Sequence, residues 1–119
     1  MTSALTTKRH WSEDLALEYL VSRGLRLVCR NYRTRRGEID LVMRDMGSLI
    51  FVEVRYRSST AYGRPEETVG LKKQGRLRLA ARHFLAHHPE CALDPCRFDI
   101  LAITGHGPDK TSRWIPNAF

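Results

Sequence analysis

The sequence lacks a long hydrophobic run. None of its apolar segments approaches the ~20 residues that a membrane-spanning helix requires. Residues 1–10 are polar, with Leu5 as their one bulky aliphatic side chain, so they also lack the apolar stretch of a secretory signal. We therefore expect a flexible N-terminal tail over residues 1–10, a cytoplasmic location and no membrane partner.

Cysteine is scarce. Cys29, Cys91 and Cys96 are an odd number in a chain without an export signal, which favours reduced thiols over a disulfide framework. Cys91 and Cys96 follow His87 and His88, but a structural zinc site uses ligand pairs at C-x2-4-C or H-x3-5-H spacing. The mismatch in spacing argues against zinc.

Acidic residues are also few: 13 Asp and Glu stand against 20 Lys and Arg, which gives a net charge of +7. Such a balance favours polyanionic partners, either nucleic acid or anionic lipid. No helical segment places bulky aromatics opposite lysines, so a membrane-surface protein is the weakest interpretation. A chain of 119 residues has room for one core, and we expect a single domain over residues 11–119.

The hydrophobic patterns predict the order of the elements. Ser12 can cap a helix that has Glu13 and Asp14 in its first turn and stops at Gly24. Alternating patterns predict strands over residues 25–32, 38–43 and 49–56. A helix follows from residue 71 to the residue before Pro89, then a strand over 97–103 and a candidate last strand over 112–115. This α-β-β-β-α-β order predicts an α/β fold.

The second and third strands predict a hairpin with an acidic face. A short loop at residues 45–48 sets Asp40 opposite Glu53, and Glu38 opposite Arg55. If the apolar faces pack together, these side chains emerge on one surface. Opposed carboxylates destabilise a sheet, whereas a divalent cation between them supplies the missing charge, and oxygen ligands suit Mg²⁺ or Mn²⁺.

A plainer interpretation of this face stays open. Glu38 and Arg55 can form an ordinary cross-strand ion pair, while Asp40 and Glu53 can be solvated residues neutralised by nearby arginines. The basic turn after the first strand and the basic second helix favour the cation site, because phosphodiester chemistry uses a metal ion next to positive charge.

Four segments carry a family resemblance: RNYRTRRGEIDLV at 30–42, FVEVR at 51–55, RFD at 97–99 and NAF at 117–119. From about Ser12 onward the chain resembles the YraN family of small bacterial proteins. That family is similar in fold to the Holliday-junction-resolvase branch of the PD-(D/E)xK, restriction-endonuclease-like nucleases. The resemblance implies a restriction-endonuclease-like α-β-β-β-α-β core with a mixed central sheet flanked by helices.

The resemblance also implies roles for five residues. Asp40 and Glu53 would be the metal carboxylates, the carbonyl of Val54 a further ligand, and Glu13 the helical glutamate that assists the metal through water. For Glu13, a first-turn carboxylate that favours the helix dipole is an equal alternative. Arg55 replaces the lysine of the nuclease motif. A guanidinium can hold phosphate or stabilise charge, but it cannot act as a base.

Two hypotheses for function follow. The first is a nucleic-acid-binding protein, with DNA as the expected partner, that acts as a Mg²⁺- or Mn²⁺-dependent endonuclease on duplex or branched substrates. The second is a non-catalytic DNA-binding or complex-assembly module that retains the fold, and Arg55 argues for it. A homodimer, as in resolvases, is compatible with either. Phosphate contacts are expected from basic side chains that could individually be ordinary solvated surface: Arg33, Arg35, Arg36, Arg57, Lys72, Lys73 and Arg76.

Overall fold

The computed structural model describes residues 4–58 and 69–119, with side chains from residue 11 onward. It contains two α-helices and five strands: α1 (Ala4–Ser22), β1 (Arg26–Arg33), β2 (Glu38–Asp45), β3 (Ser48–Arg57), α2 (Leu71–His87), β4 (Cys96–Thr104) and β5 (Thr111–Ile115). Short 3-10 turns precede β4 and β5. The predicted order is confirmed, including the terminal strand. Neither helix is both long and apolar enough to cross a membrane, within the residues described.

The strands form one mixed sheet in the order β1-β2-β3-β4-β5. β1, β2 and β3 are an antiparallel meander, β4 runs parallel to β3, and β5 is antiparallel to β4. Parallel neighbours require a crossover, and α2 lies in the connection between β3 and β4. The predicted α/β fold with a mixed central sheet flanked by helices is therefore confirmed.

Hydrophobic clusters cover both faces of the sheet. On the α1 face, Ala16 and Leu20 pack with alternate residues of the strands, which are Leu41, Met43, Ile50, Val52, Leu101 and Ile103. On the α2 face, Leu77 and Phe84 pack with the intervening residues, among them Val42, Leu49, Phe51, Ile100 and Ala102. The expectation that one face of the hairpin is a solvent-exposed acidic surface was wrong, because a sheet with a crossover helix on one face and α1 on the other is buried on both.

The start of α1 also differs from the prediction. The helix begins at Ala4, so Ser12 is a buried residue within it and not its N-cap. Residues 4–10, assigned to a flexible tail, belong to this helix, and residues 1–3 lie outside the described part of the chain. A serine before an acidic turn is a local capping signal. Here the good helix formers that precede it, among them Ala4, Leu5 and Lys8, continue the helix through it.

A buried carboxylate fixes the C-terminal segment to the sheet. Asp99 on β4 is fully buried and accepts hydrogen bonds from Arg97 Nε (3.0 Å), the indole Nε1 of Trp114 (2.8 Å) and the backbone amide of Asn117 (2.9 Å). The hydrogen bond to Asp99 raises the pKa of Arg97. Buried charge is tolerated when it is paired in this way. The RFD and NAF segments therefore have a structural explanation.

Candidate functional site

The site begins where β2 and β3 stop pairing. Their ladder runs from Asp45 and Ser48 to Leu41 and Val52, in the register that the loop length predicted. It ends one residue before the predicted Asp40–Glu53 pair. At this fork, Oδ2 of the buried Asp40 accepts a hydrogen bond from the backbone amide of Val54 over 2.8 Å. A side-chain carboxylate thus takes the place of a strand carbonyl and is fixed to the amide of the residue that follows Glu53.

Glu53 is the second buried carboxylate, with 3% of its surface exposed. Among the described residues, its Oε2 has two cationic neighbours: Nζ of Lys73 on α2 at 3.2 Å and Nη1 of Arg55 on β3 at 3.4 Å. A carboxylate removed from water requires opposite charge close by, and this pair provides it. The sequence patterns predicted Arg55 near this site, but they predicted Lys73 only as a phosphate-binding residue.

The donor chemistry of Asp40 and Glu53 fits a hard divalent cation. Mg²⁺ is commonly held by one or two carboxylates, with water or substrate oxygens in the remaining positions. Over residues 4–58 and 69–119, no group of three His, Cys, Asp or Glu side chains forms a metal cage. Asp40 and Glu53 would hold such an ion as two carboxylates alone, and the carbonyl of Val54 remains a predicted further ligand.

Glu13 lies at the same end of the sheet as Asp40. It is buried in α1, and its Oε1 is 3.8 Å from Nη2 of Arg30, whose partner across β1 and β2 is Leu41. Because α1 begins at Ala4, Glu13 is not in the first turn, and its interpretation as a helix-dipole carboxylate was wrong. Its assistance to a metal stays a prediction.

Three of the predicted phosphate-binding residues line one cleft of about 280 Å³. Its cationic walls come from Arg33 at the end of β1 and from Lys73 and Arg76 on α2. Glu38 also lines it, with Oε1 3.7 Å from Nε of Arg33. Lys73 both lines this cleft and contacts Glu53, so one lysine connects the cleft with the buried carboxylate.

A close approach between the β1–β2 turn and α2 forms this cleft. A methyl group at Gly37 would overlap the backbone carbonyl of Arg76, so glycine allows the turn to pack against the helix. Thr34 orders the turn from within: its Oγ1 accepts from the amides of Arg36 (3.2 Å) and Gly37 (3.1 Å). The turn thus holds basic side chains at a fixed distance from α2.

The remaining predicted basic residues are dispersed. Arg35 and Arg36 are exposed and line a second depression of about 230 Å³ with Leu79 and His83. Lys72 is exposed on α2, and Arg57 is half-buried at the end of β3. Within the described part of the chain, Lys72 and Arg57 line neither the cleft nor the second depression.

The cysteines and histidines near the end of α2 have partners of other kinds. Cys91 is buried, and its Sγ is 3.2 Å from Nη2 of Arg44. The ring of His88 stacks on Phe84, with centroids 3.8 Å apart. The third cysteine, Cys29, lies on β1. Burial raises the pKa of its thiol, which disfavours the thiolate needed for nucleophilic chemistry.

Comparison with known proteins gives consistent similarities over nearly the whole chain. Residues 12–103 match the model of the uncharacterised protein family UPF0102. A UPF0102 protein of Stutzerimonas stutzeri is 51% identical over 108 residues, which cover 91% of this chain and 90% of the relative. One of Aeromonas hydrophila is 48% identical over 118 residues (98% and 87%), and one of Nitrosococcus oceani is 44% identical over 112 residues (94% and 90%).

Proposed function

The chain belongs to the UPF0102 family, and we propose that it is a DNA-binding protein that hydrolyses phosphodiester bonds with Mg²⁺ or Mn²⁺ at Asp40 and Glu53. The observation that carries this proposal is the position of Lys73, which contacts Glu53 and lines the cationic cleft with Arg33 and Arg76. A cation site and a phosphate-binding surface are thereby adjacent, as phosphodiester hydrolysis requires.

Each residue has a distinct role in this proposal. The cation, when bound, lowers the pKa of water and offsets the charge that develops on the phosphate. Asp40, oriented by the Val54 amide, and Glu53 provide the negative charge that holds the cation. The guanidinium of Arg55, which cannot act as a base, stabilises phosphate charge. Glu13, the third buried carboxylate at this end, helps to order water.

DNA is held through its backbone. Arg33 and Arg76 in the cleft, and Arg35 and Arg36 in the neighbouring depression, contact phosphates and carry no sequence information. Lys72 on α2 and Arg57 at the end of β3 lie outside both depressions and would add separate phosphate contacts. A protein that contacts only the DNA backbone selects its substrate by the shape of the DNA. Branched DNA is therefore included among the substrates to be tested.

The test is a cleavage and retention assay. Purified protein is incubated with labelled single-stranded, duplex and four-way-junction DNA in Mg²⁺, Mn²⁺ or chelator. We expect cleavage that requires a divalent cation and is lost in Asp40→Asn and Glu53→Gln. Cleavage that survives in both variants would identify a contaminating nuclease. Gel filtration of the same sample gives the oligomeric state and tests the homodimer that the resemblance to resolvases leaves open.

One observation favours a second candidate, a DNA-binding or complex-assembly module without turnover. Oε2 of Glu53 is already paired with Lys73 and Arg55. Neither this ion pair nor the guanidinium of Arg55 provides a group that takes a proton from water. Retention of DNA without cleavage in any cation would support this module. Failure to retain any nucleic acid would contradict both candidates.

A further inference from the structure

Lys73 contacts the buried Glu53 and also lines the cationic cleft. Its Nζ is 3.2 Å from Oε2 of Glu53, and its side chain forms a wall of the cleft together with Arg33 and Arg76. One third of the lysine side chain is exposed, whereas the carboxylate it contacts is almost fully buried. The ammonium group therefore neutralises a buried carboxylate, although the lysine itself lies at the surface.

We propose that Lys73 exchanges between Glu53 and nucleic-acid phosphate, so that a divalent cation and DNA bind cooperatively. This inference rests on the proposed function. Without a cation, Lys73 and Arg55 supply the charge that a buried carboxylate requires. A cation at Glu53 makes the lysine's charge redundant and repels it, since like charges at contact distance disfavour each other.

The chemistry of the two cations decides which one moves. Lysine carries a compact charge on a flexible four-carbon stem with three rotatable donors, whereas the guanidinium of arginine is a rigid planar fork. Arg55 is also anchored on β3 two residues from Glu53. The stem of Lys73 already lines the cleft, so an ammonium that leaves Glu53 meets the phosphate held by Arg33 and Arg76.

Coupling of this kind is reciprocal. If the cation raises the affinity for DNA by some factor, DNA raises the affinity for the cation by the same factor, and such factors commonly fall in the range of roughly 5–150. Lys73 carries the coupling because it neutralises Glu53 in one state and phosphate in the other.

The experiment compares Lys73→Met with Arg82→Met, which removes one positive charge from an exposed position of α2 that lines neither the cleft nor the second depression. Affinity for a fluorescent DNA duplex is measured by anisotropy in chelator and in Ca²⁺, which takes the same oxygen ligands, at fixed ionic strength. Wild type and Arg82→Met should bind DNA at least about 5-fold more tightly with Ca²⁺. Lys73→Met should lose most of this increase and keep only the part that comes from direct attraction between Ca²⁺ and phosphate. Equal coupling in Lys73→Met and wild type, or none in wild type, would overturn the inference.

Two further measurements separate this inference from the proposed function. In a Mn²⁺ titration by calorimetry without DNA, Lys73→Met should bind the ion more tightly, because no ammonium competes, and Arg82→Met should match wild type. An unchanged affinity in Lys73→Met overturns the exchange even where DNA binds normally. Absence of DNA binding by wild type overturns the proposed function instead.

A second variant covers the case in which Lys73→Met does not fold. In Glu53→Gln, Lys73 has no carboxylate to neutralise, so affinity for DNA in chelator should rise to the level that wild type reaches with Ca²⁺. Added Ca²⁺ should then have no further effect. Affinity of Glu53→Gln that stays at the wild-type chelator level would contradict the exchange.

Discussion

The amide of Val54 donates a hydrogen bond to Oδ2 of Asp40 over 2.8 Å, so the end of the β2–β3 hairpin is closed by a side chain. The same carboxylate group that satisfies a backbone donor is a proposed cation ligand. The hydrogen-bonding role and the cation-binding role of Asp40 can be separated by mutation to asparagine. An amide oxygen accepts the same hydrogen bond without carrying the charge.

Substitutions of Asp40 should therefore have different effects on stability. Asp40→Asn keeps an acceptor for the Val54 amide, whereas Asp40→Ala leaves that buried donor unpaired, at a cost of about 1–3 kcal/mol. We expect the free energy of unfolding, measured in urea, to be lower in Asp40→Ala than in Asp40→Asn by that amount. Both variants should lose cleavage. Equal stability of the two would show that the hydrogen bond contributes nothing.

Arg55→Lys tests the departure from the nuclease motif. If hydrolysis occurs, Arg55 only stabilises phosphate charge, so a lysine should preserve or raise the cleavage rate, while Asp40→Asn and Glu53→Gln abolish it. Retention of DNA should change far less in all three variants. If neither wild type nor Arg55→Lys cuts any substrate in Mn²⁺ although both bind DNA, the non-catalytic module is the function that remains.

Affinity for DNA should fall steeply with salt, because basic residues that neutralise phosphates release counterions on binding. Charge reversal of Arg35 and Arg36 to Glu should weaken binding and reduce the slope of log affinity against log salt by about 1 for each phosphate that is no longer neutralised. The matched control reverses Arg23 and Arg26, which are exposed near the opposite end of β1. Equal reductions in affinity in the two double variants would contradict the proposed footprint.

Two glycines offer a paired test of the cleft. Gly37→Ala forces a methyl group against the carbonyl of Arg76, and we expect a loss of about 1–3 kcal/mol in the free energy of unfolding and weaker DNA binding. Gly75→Ala adds a methyl group in open space on α2, where alanine should gain up to about 1 kcal/mol. Denaturant titration measures both. A neutral Gly37→Ala would show that the turn does not depend on this close approach.

The hairpin register could be predicted because it depends on local sequence. Alternation in residues 38–56 and the short loop fixed the pairs from Arg44 and Leu49 to Leu41 and Val52. The burial of Glu53 could not be predicted in the same way, because alternation shows which residues share a face but not which helix covers it. The apolar Leu49 and Phe51 on the face of Glu53 were the available signal that this face is also buried.

The sequence patterns could not predict the ion pair between Lys73 and Glu53. The two residues are separated by 20 positions and by a segment outside the described residues, and only the packing of α2 on the sheet brings them together. Charge patterns identified Lys73 as one of several cations on a basic helix. Which cation faces the interior depends on the rotation of α2, which Leu77, Ala80 and Phe84 determine through their burial.

The hydrogen-bond partners of Asp99 determine when the sheet can close while the chain is being synthesised. Trp114 and Asn117, which donate to this buried carboxylate, follow it by 15 and 18 residues. On the ribosome, β4 therefore emerges with only the neighbouring Arg97 to neutralise Asp99, and closing the sheet over it at that stage would bury a poorly compensated charge. We therefore expect the nascent protein to become protease-resistant only after residue 117 has left the exit tunnel.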